Sequence, residues 1–186
     1  MIKPLSAIFA GATGAGKTTL SKRLLKKAVE GRKPYIYDPN GEFREYGSYV
    51  GIGIKEFMTK IDNVTNAVIL FEEATIFFKN KGFADTILTN HLIRKRHLNN
   101  VVIFNFHSLR AVPVDIMDYI NYLFVLYTND RETLIRTKFK DDDLVLDAYT
   151  EVQELYNLAM KAKKDGLYVS KADEHPVVEI EFLRPI

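Results

Sequence analysis

Residues 11–19 read GATGAGKTT and constrain the fold more than any other stretch of the chain. They fit G-x-x-x-x-G-K-[ST]. Before them stands SAIFA (6–10), a short apolar run; after them comes KTTLSKRLLKKAVEG, in which Leu20, Leu24 and Leu25 share one helical face. A strand that turns through glycine into a helix aims backbone N–H groups and the positive helix end at one point, which makes a phosphate cradle. Gly11, Ala12, Thr13, Gly14, Ala15, Gly16, Lys17, Thr18 and Thr19 are therefore the expected nucleotide-binding residues. Lys17 is expected on the β- and γ-phosphates of ATP, and Thr18 on Mg²⁺ through its hydroxyl.

The rest of the chain keeps this alternation. Strands are predicted at PYIYD (34–38), NAVILFEE (66–73), VVIFNFH (101–107) and YLFVLYT (122–128). Helices are predicted at 54–62, 83–99, about 130–138 and 142–164. GLYVS (166–170) and VVEIEF (177–182) read as a closing pair of antiparallel strands, and PNGEFREYGSYVGIG as irregular and turn-rich. The expected class is α/β, three layers, with a mostly parallel sheet covered on both faces. The 186 residues suit one domain, 1–186. In such sheets ligands gather at the carboxyl ends of the strands, which would collect the phosphate loop, Asp38, Glu72, Glu73 and His107 along one edge.

Composition narrows the chemistry. The chain has no cysteine, which removes disulfides and thiolate metal sites. Its net charge is only +2, so any nucleic acid must meet a local basic patch. The candidates are Lys26–Lys27 with Arg32–Lys33, Lys79–Lys81 and Lys161–Lys164. The apolar run AVILF (67–71) is far too short to span a bilayer, and the apolar N-terminus leads directly into the phosphate loop, as a first core strand would.

The acids of VILFEEA divide by role. Glu72 is expected on the Mg²⁺ side, and Glu73 as general base for an attacking water. At the next strand end, FNFHS, either His107 or Asn105 is placed to sense the γ-phosphate. Arg94, Arg96 and His97 precede that strand and Arg110 follows it; an arginine supplied in trans would stabilise transition-state charge. A P-loop kinase is the competing reading. It needs no water-activating base, so the adjacent acids favour hydrolysis.

The ordered set GATGAGKTT, YDPNGEF, VILFEEA, RKRHLNNVVIFNFHSL and LFVLYTNDRETL resembles the FtsK–HerA superfamily of P-loop ATPases. Its nearest likeness is to the small genome-packaging ATPases of icosahedral viruses with internal membranes. The resemblance implies a RecA-like core that assembles into a homo-oligomeric ring, a hexamer or pentamer. Such a ring drives double-stranded DNA into a preformed capsid at a portal vertex, so its location is the host cytoplasm or the virion. Carried over by position, Lys17, Thr18, Glu72 and Glu73 keep the roles given above, and Arg96 matches the arginine before the sensor strand. Two positions depart from the pattern: Glu72 stands where aspartate is usual, and His107 where glutamine is usual. Arg94, Arg96, Arg110, Arg131 and Arg136 all remain candidates for the trans-acting arginine. A morphogenesis or secretion ATPase of the same superfamily is a further alternative.

Overall fold

A computed structural model describes residues 2–79 and 83–182, with only the backbone described for Lys79 and for residues 83–86. The elements follow in the order β1 (Leu5–Ala10), α1 (Lys17–Ala28), β2 (Lys33–Tyr37), α2 (Ile54–Ile61), β3 (Ala67–Phe71), α3 (Thr75–Lys79), α4 (Phe83–Arg94), β4 (Val101–Phe106), β5 (Tyr122–Leu126), α5 (Glu132–Lys138), α6 (Asp143–Lys164), α7 (Lys171–Glu174) and β6 (Val177–Glu181). Three short 3₁₀ turns punctuate them, at Arg44–Tyr46, Leu109–Ala111 and Val114–Tyr119. The six strands form one sheet in the order β2-β3-β4-β1-β5-β6. All neighbours are parallel except β5 and β6.

Side chains alternate across β1. Ala7 and Phe9 face α1 together with Leu25, Ala28, Val68, Leu70 and Ile103. Ile8 and Ala10 face the opposite way, into the larger core that also takes in Phe57 and Met58 of α2, Leu88 and Leu92 of α4, and Val145 and Val152 of α6. The inner parallel strands β1, β3 and β4 read as near-continuous apolar runs because both faces are covered. This is the expected three-layer α/β architecture.

Several boundaries shift for local reasons. Asn66 and Asn99 adopt positive φ (52° each), so β3 begins at Ala67 and the helix foreseen over 83–99 ends at Arg94, with turns over 95–99. Asp38 leaves the β2 ladder to hold a turn. One expectation is corrected: GLYVS is not a strand. Ser170 and Asp173 form a reciprocal capping box that opens α7, and the antiparallel partner of β6 is β5. Asn80–Gly82 of the FFKNKGF stretch and the terminal RPI lie outside the described residues. No helix among the described residues is long and apolar enough to cross a membrane.

Candidate active site

The phosphate loop extends from the middle of the sheet. Gly11 N–H donates to the Phe106 carbonyl (3.1 Å) and Ala12 N–H to the Tyr127 carbonyl (2.7 Å), which fixes the loop between β4 and β5. A Cβ on Gly11 would stand 2.7 Å from Leu126 Cβ, so only glycine fits this approach. Gly16 has φ of 95° and starts α1 without a side-chain cap, and the first turn carries no acid. The free N–H groups and positive end of the helix therefore face the loop's concavity. Lys17 is folded into the loop, donating to the carbonyls of Gly11 (2.8 Å) and Ala12 (2.9 Å). Burial lowers its ammonium below the ordinary value, against the opposing pull of Glu72, Glu73 and Glu42.

The acidic turn after β3 is anchored from below. Phe77 of α3 packs edge-on against Phe71 (4.7 Å) and Tyr37 (4.8 Å), and Phe71 stacks on Phe104 (5.1 Å). Glu72 N–H donates to the Tyr37 carbonyl, and Ala74 N–H to the Asn105 carbonyl, so the turn is tied to strands on both sides. Glu72 is 7% exposed, and its carboxylate accepts from Asn105 Nδ2 and from Thr18 Oγ1 (3.2 Å). Burial pushes its carboxyl up to about 7; Asn105 and Thr18 pull it down while Glu42 adds to the rise. Glu73, half-buried, lies close enough to act on both Lys17 and Tyr37.

The fold thus brings Lys17, Thr18, Glu72 and Glu73 to one place. The two sensor candidates separate. Asn105 is buried, and its Nδ2 also reaches Ser21 Oγ of α1 (3.1 Å), tying α1, β3 and β4 together at Glu72. His107 is exposed past the end of β4, with Nδ1 3.0 Å from Thr75 Oγ1 at the start of α3. Arg96 is exposed and lies before Val101, which pairs with Leu5 at the amino end of β1. The phosphate loop follows the other end of β1, about 20 Å away along a six-residue strand. Within one chain Arg96 and Arg94 therefore lie toward the opposite edge of the sheet from the site. Arg110 and Arg131 are exposed at the carboxyl edge, with Arg110 Nε 3.9 Å from Asp130, while Arg136 pairs with Glu132 (2.7 Å).

Sequence reasoning missed Glu42, whose Oε2 accepts from Thr18 Oγ1 at 2.8 Å. Its signal was present: an acid in the turn right after a strand that ends at the carboxyl edge. It also missed the segment around α7, where His175 Cβ lies 3.8 Å from where a Cβ on Gly16 would sit. Ala15, Gly16 and Thr19 open on that side into a groove of about 1070 Å³ lined by Arg23, Leu158 and Val177 among others. The donor set suits Mg²⁺: hydroxyl and carboxylate oxygens, hard ligands, gathered where Thr18 meets Glu42 and Glu72.

No family model matches the chain, and no curated protein matches it. Solved structures do. The genome-packaging NTPase B204 of Sulfolobus turreted icosahedral virus 2, in complex with AMPPCP, superposes with a TM-score of 0.61 at 15% identity, over 78% of this chain and 88% of that one. B204 described as the DNA-packaging ATPase of Sulfolobus turreted icosahedral virus gives 0.64 at 15% identity, over 83% and 89%. ATPase domains 2 and 3 of EssC from Geobacillus thermodenitrificans give 0.54 at 14% identity, over 74% of this chain and 34% of that one. The chain shares its fold with these P-loop ATPases.

Proposed function

We propose that this chain is a Mg²⁺-dependent ATPase of the FtsK–HerA kind that translocates double-stranded DNA and packages a viral genome into a preformed capsid. The observation that carries the hydrolase reading is the junction of Thr18, Glu72 and Asn105, with Glu73 one residue further along the same anchored turn. The fold shared with B204, whose structures include AMPPCP and ATP-γS complexes, supports it.

The residues divide the work. The loop amides and Lys17 hold the phosphates, the lysine leaving the Gly11 and Ala12 carbonyls for the β- and γ-oxygens. The groove beside Gly16 has room for the nucleoside. Thr18 and Glu72 would hold Mg²⁺, which would supply charge neutralisation to the phosphates. Glu73 takes a proton from water as the water oxygen bonds to the γ-phosphorus. The bond from that phosphorus to the bridging oxygen breaks, and ADP leaves with the electron pair. Asn105 positions Glu72 from the neighbouring strand, and His107 through Thr75 links the end of β4 to α3. Arg96, far from its own site, acts on a neighbour's in a ring of five or six copies. DNA and a capsid or portal vertex are the partners, in the host cytoplasm or at the virion.

Phosphate release from MgATP, with and without long double-stranded DNA, tests this on wild type and Glu73→Gln. Hydrolysis that DNA accelerates and Glu73→Gln abolishes is the expected result. Turnover indifferent to DNA removes translocation and leaves an ATPase. Transfer of phosphate to an added nucleotide acceptor in place of water would make the chain a kinase.

A further inference from the structure

The turn after β2 is built to hold one side chain in place. Asp38 is fully buried and accepts from the N–H groups of Glu42 (2.9 Å) and Phe43 (2.8 Å) and from Ser48 Oγ (2.7 Å). Phe43 is itself wholly buried, with Lys22 of α1 5.4 Å over its ring, and Lys22 also pairs with Glu45 (2.8 Å). The turn is thereby clamped against α1. Glu42, between these anchors, is exposed and directs its carboxylate at Thr18.

Thr18 Oγ1 then has two carboxylate partners, Glu42 Oε2 at 2.8 Å and Glu72 Oε1 at 3.2 Å. A hydroxyl carries one proton, so it satisfies one of them at a time. The other carboxylate is then left without the Thr18 proton, and the two acids repel across the gap. A second feature marks the same spot. The Asn105 amide, 1% exposed, gives its Nδ2 to Glu72, while its Oδ1 has no hydrogen-bond partner among the described residues. The unpartnered oxygen belongs to the side chain that holds Glu72, and two acids sharing one proton are relieved by a hydrated hard cation.

We propose that Glu42 is a second carboxylate of the Mg²⁺ site, acting with Thr18 and Glu72 on the metal that accompanies ATP. This rests on the nucleotide-site reading above. The site then draws its acids from the turns that follow two adjacent strands, β2 and β3. The alternative is that Glu42 only complements the positive end of α1.

A fluorescent ADP analogue distinguishes the two without turnover. Its affinity is measured on wild type, Glu42→Gln and Glu42→Asp, first in EDTA and then across a Mg²⁺ titration. Glu42→Gln keeps a group able to bond Thr18 and removes the charge. The expected result is unchanged or tighter binding in EDTA, because one charge repelling the phosphates is gone. The Mg²⁺ half-saturation point should rise about tenfold, with Glu42→Asp intermediate. Equal Mg²⁺ midpoints in wild type and Glu42→Gln, or weaker binding in EDTA and Mg²⁺ alike, overturns the proposal and leaves the nucleotide site standing. No nucleotide binding by wild type overturns both.

Discussion

Replacing Glu72 by glutamine should stabilise the metal-free protein at neutral and alkaline pH. Glu72 is 7% exposed, and its carboxyl is pushed up to about 7 from an ordinary 4.5, chiefly by burial. An acid whose folded value lies above its unfolded value binds more protons when folded. Stability is then greatest below about pH 4.5 and falls as pH rises toward 7, where the folded protein must ionise a buried group. The rise from 4.5 to about 7 corresponds to about 3 kcal/mol, part of it shared with Glu42. Glutamine is uncharged throughout that range and keeps the local bonds: its oxygen accepts from Asn105, and its amide donates to Thr18. Melting in EDTA from pH 4.5 to 8.5 should show wild type losing stability across the window while Glu72→Gln does not. At pH 8 the variant should melt higher by roughly 5–10 °C, taking ~2–4 °C per kcal/mol for a chain of this size. Mg²⁺ with ADP should restore the wild type and not the variant. Parallel pH profiles for the two proteins would refute the buried-charge reasoning.

Two further outcomes are expected. Gly11→Ala places a methyl 2.7 Å from Leu126 Cβ, so it should cost about 1–3 kcal/mol by overpacking and lower the melting temperature accordingly; an unchanged melt would mean the loop moves freely there. Arg96→Ala and Glu73→Gln should each be nearly inactive alone yet regain turnover when mixed, because a Glu73→Gln subunit can lend its arginine to an Arg96→Ala neighbour; no recovery on mixing would remove Arg96 from catalysis.

Much of the candidate site was readable in order along the chain. The phosphate loop, the acidic turn and the polar end of β4 each follow an apolar run, and the parallel sheet brings such ends together. What could not be read depended on packing. Alternation put Asn105 and His107 on one side, but Asn105 is buried because Ser21 of α1 lies over it, while His107 has left the strand. Glu42 sits in a segment without periodicity, and its position is fixed by Asp38 turning back on two backbone N–H groups. GLYVS has strand-forming residues, yet the bonding of Ser170 with Asp173 favours a helix start.

The two margins of the sheet carry a consequence for how copies of this chain can meet. On one side β6 turns Val177, Glu179 and Glu181 to solvent, and Glu181 is held by the Tyr122 hydroxyl at 3.0 Å. On the other, β2 begins with an exposed lysine and then a proline, which offers no N–H, and its far end is occupied by a bridge between Tyr37 and Tyr49. Charges, proline and a capping bridge all discourage the addition of a foreign strand. These features work against two copies fusing their sheets into one continuous ribbon. That favours assembly through helices and loops, contacts that need no continuous ladder to be broken when a neighbour changes shape.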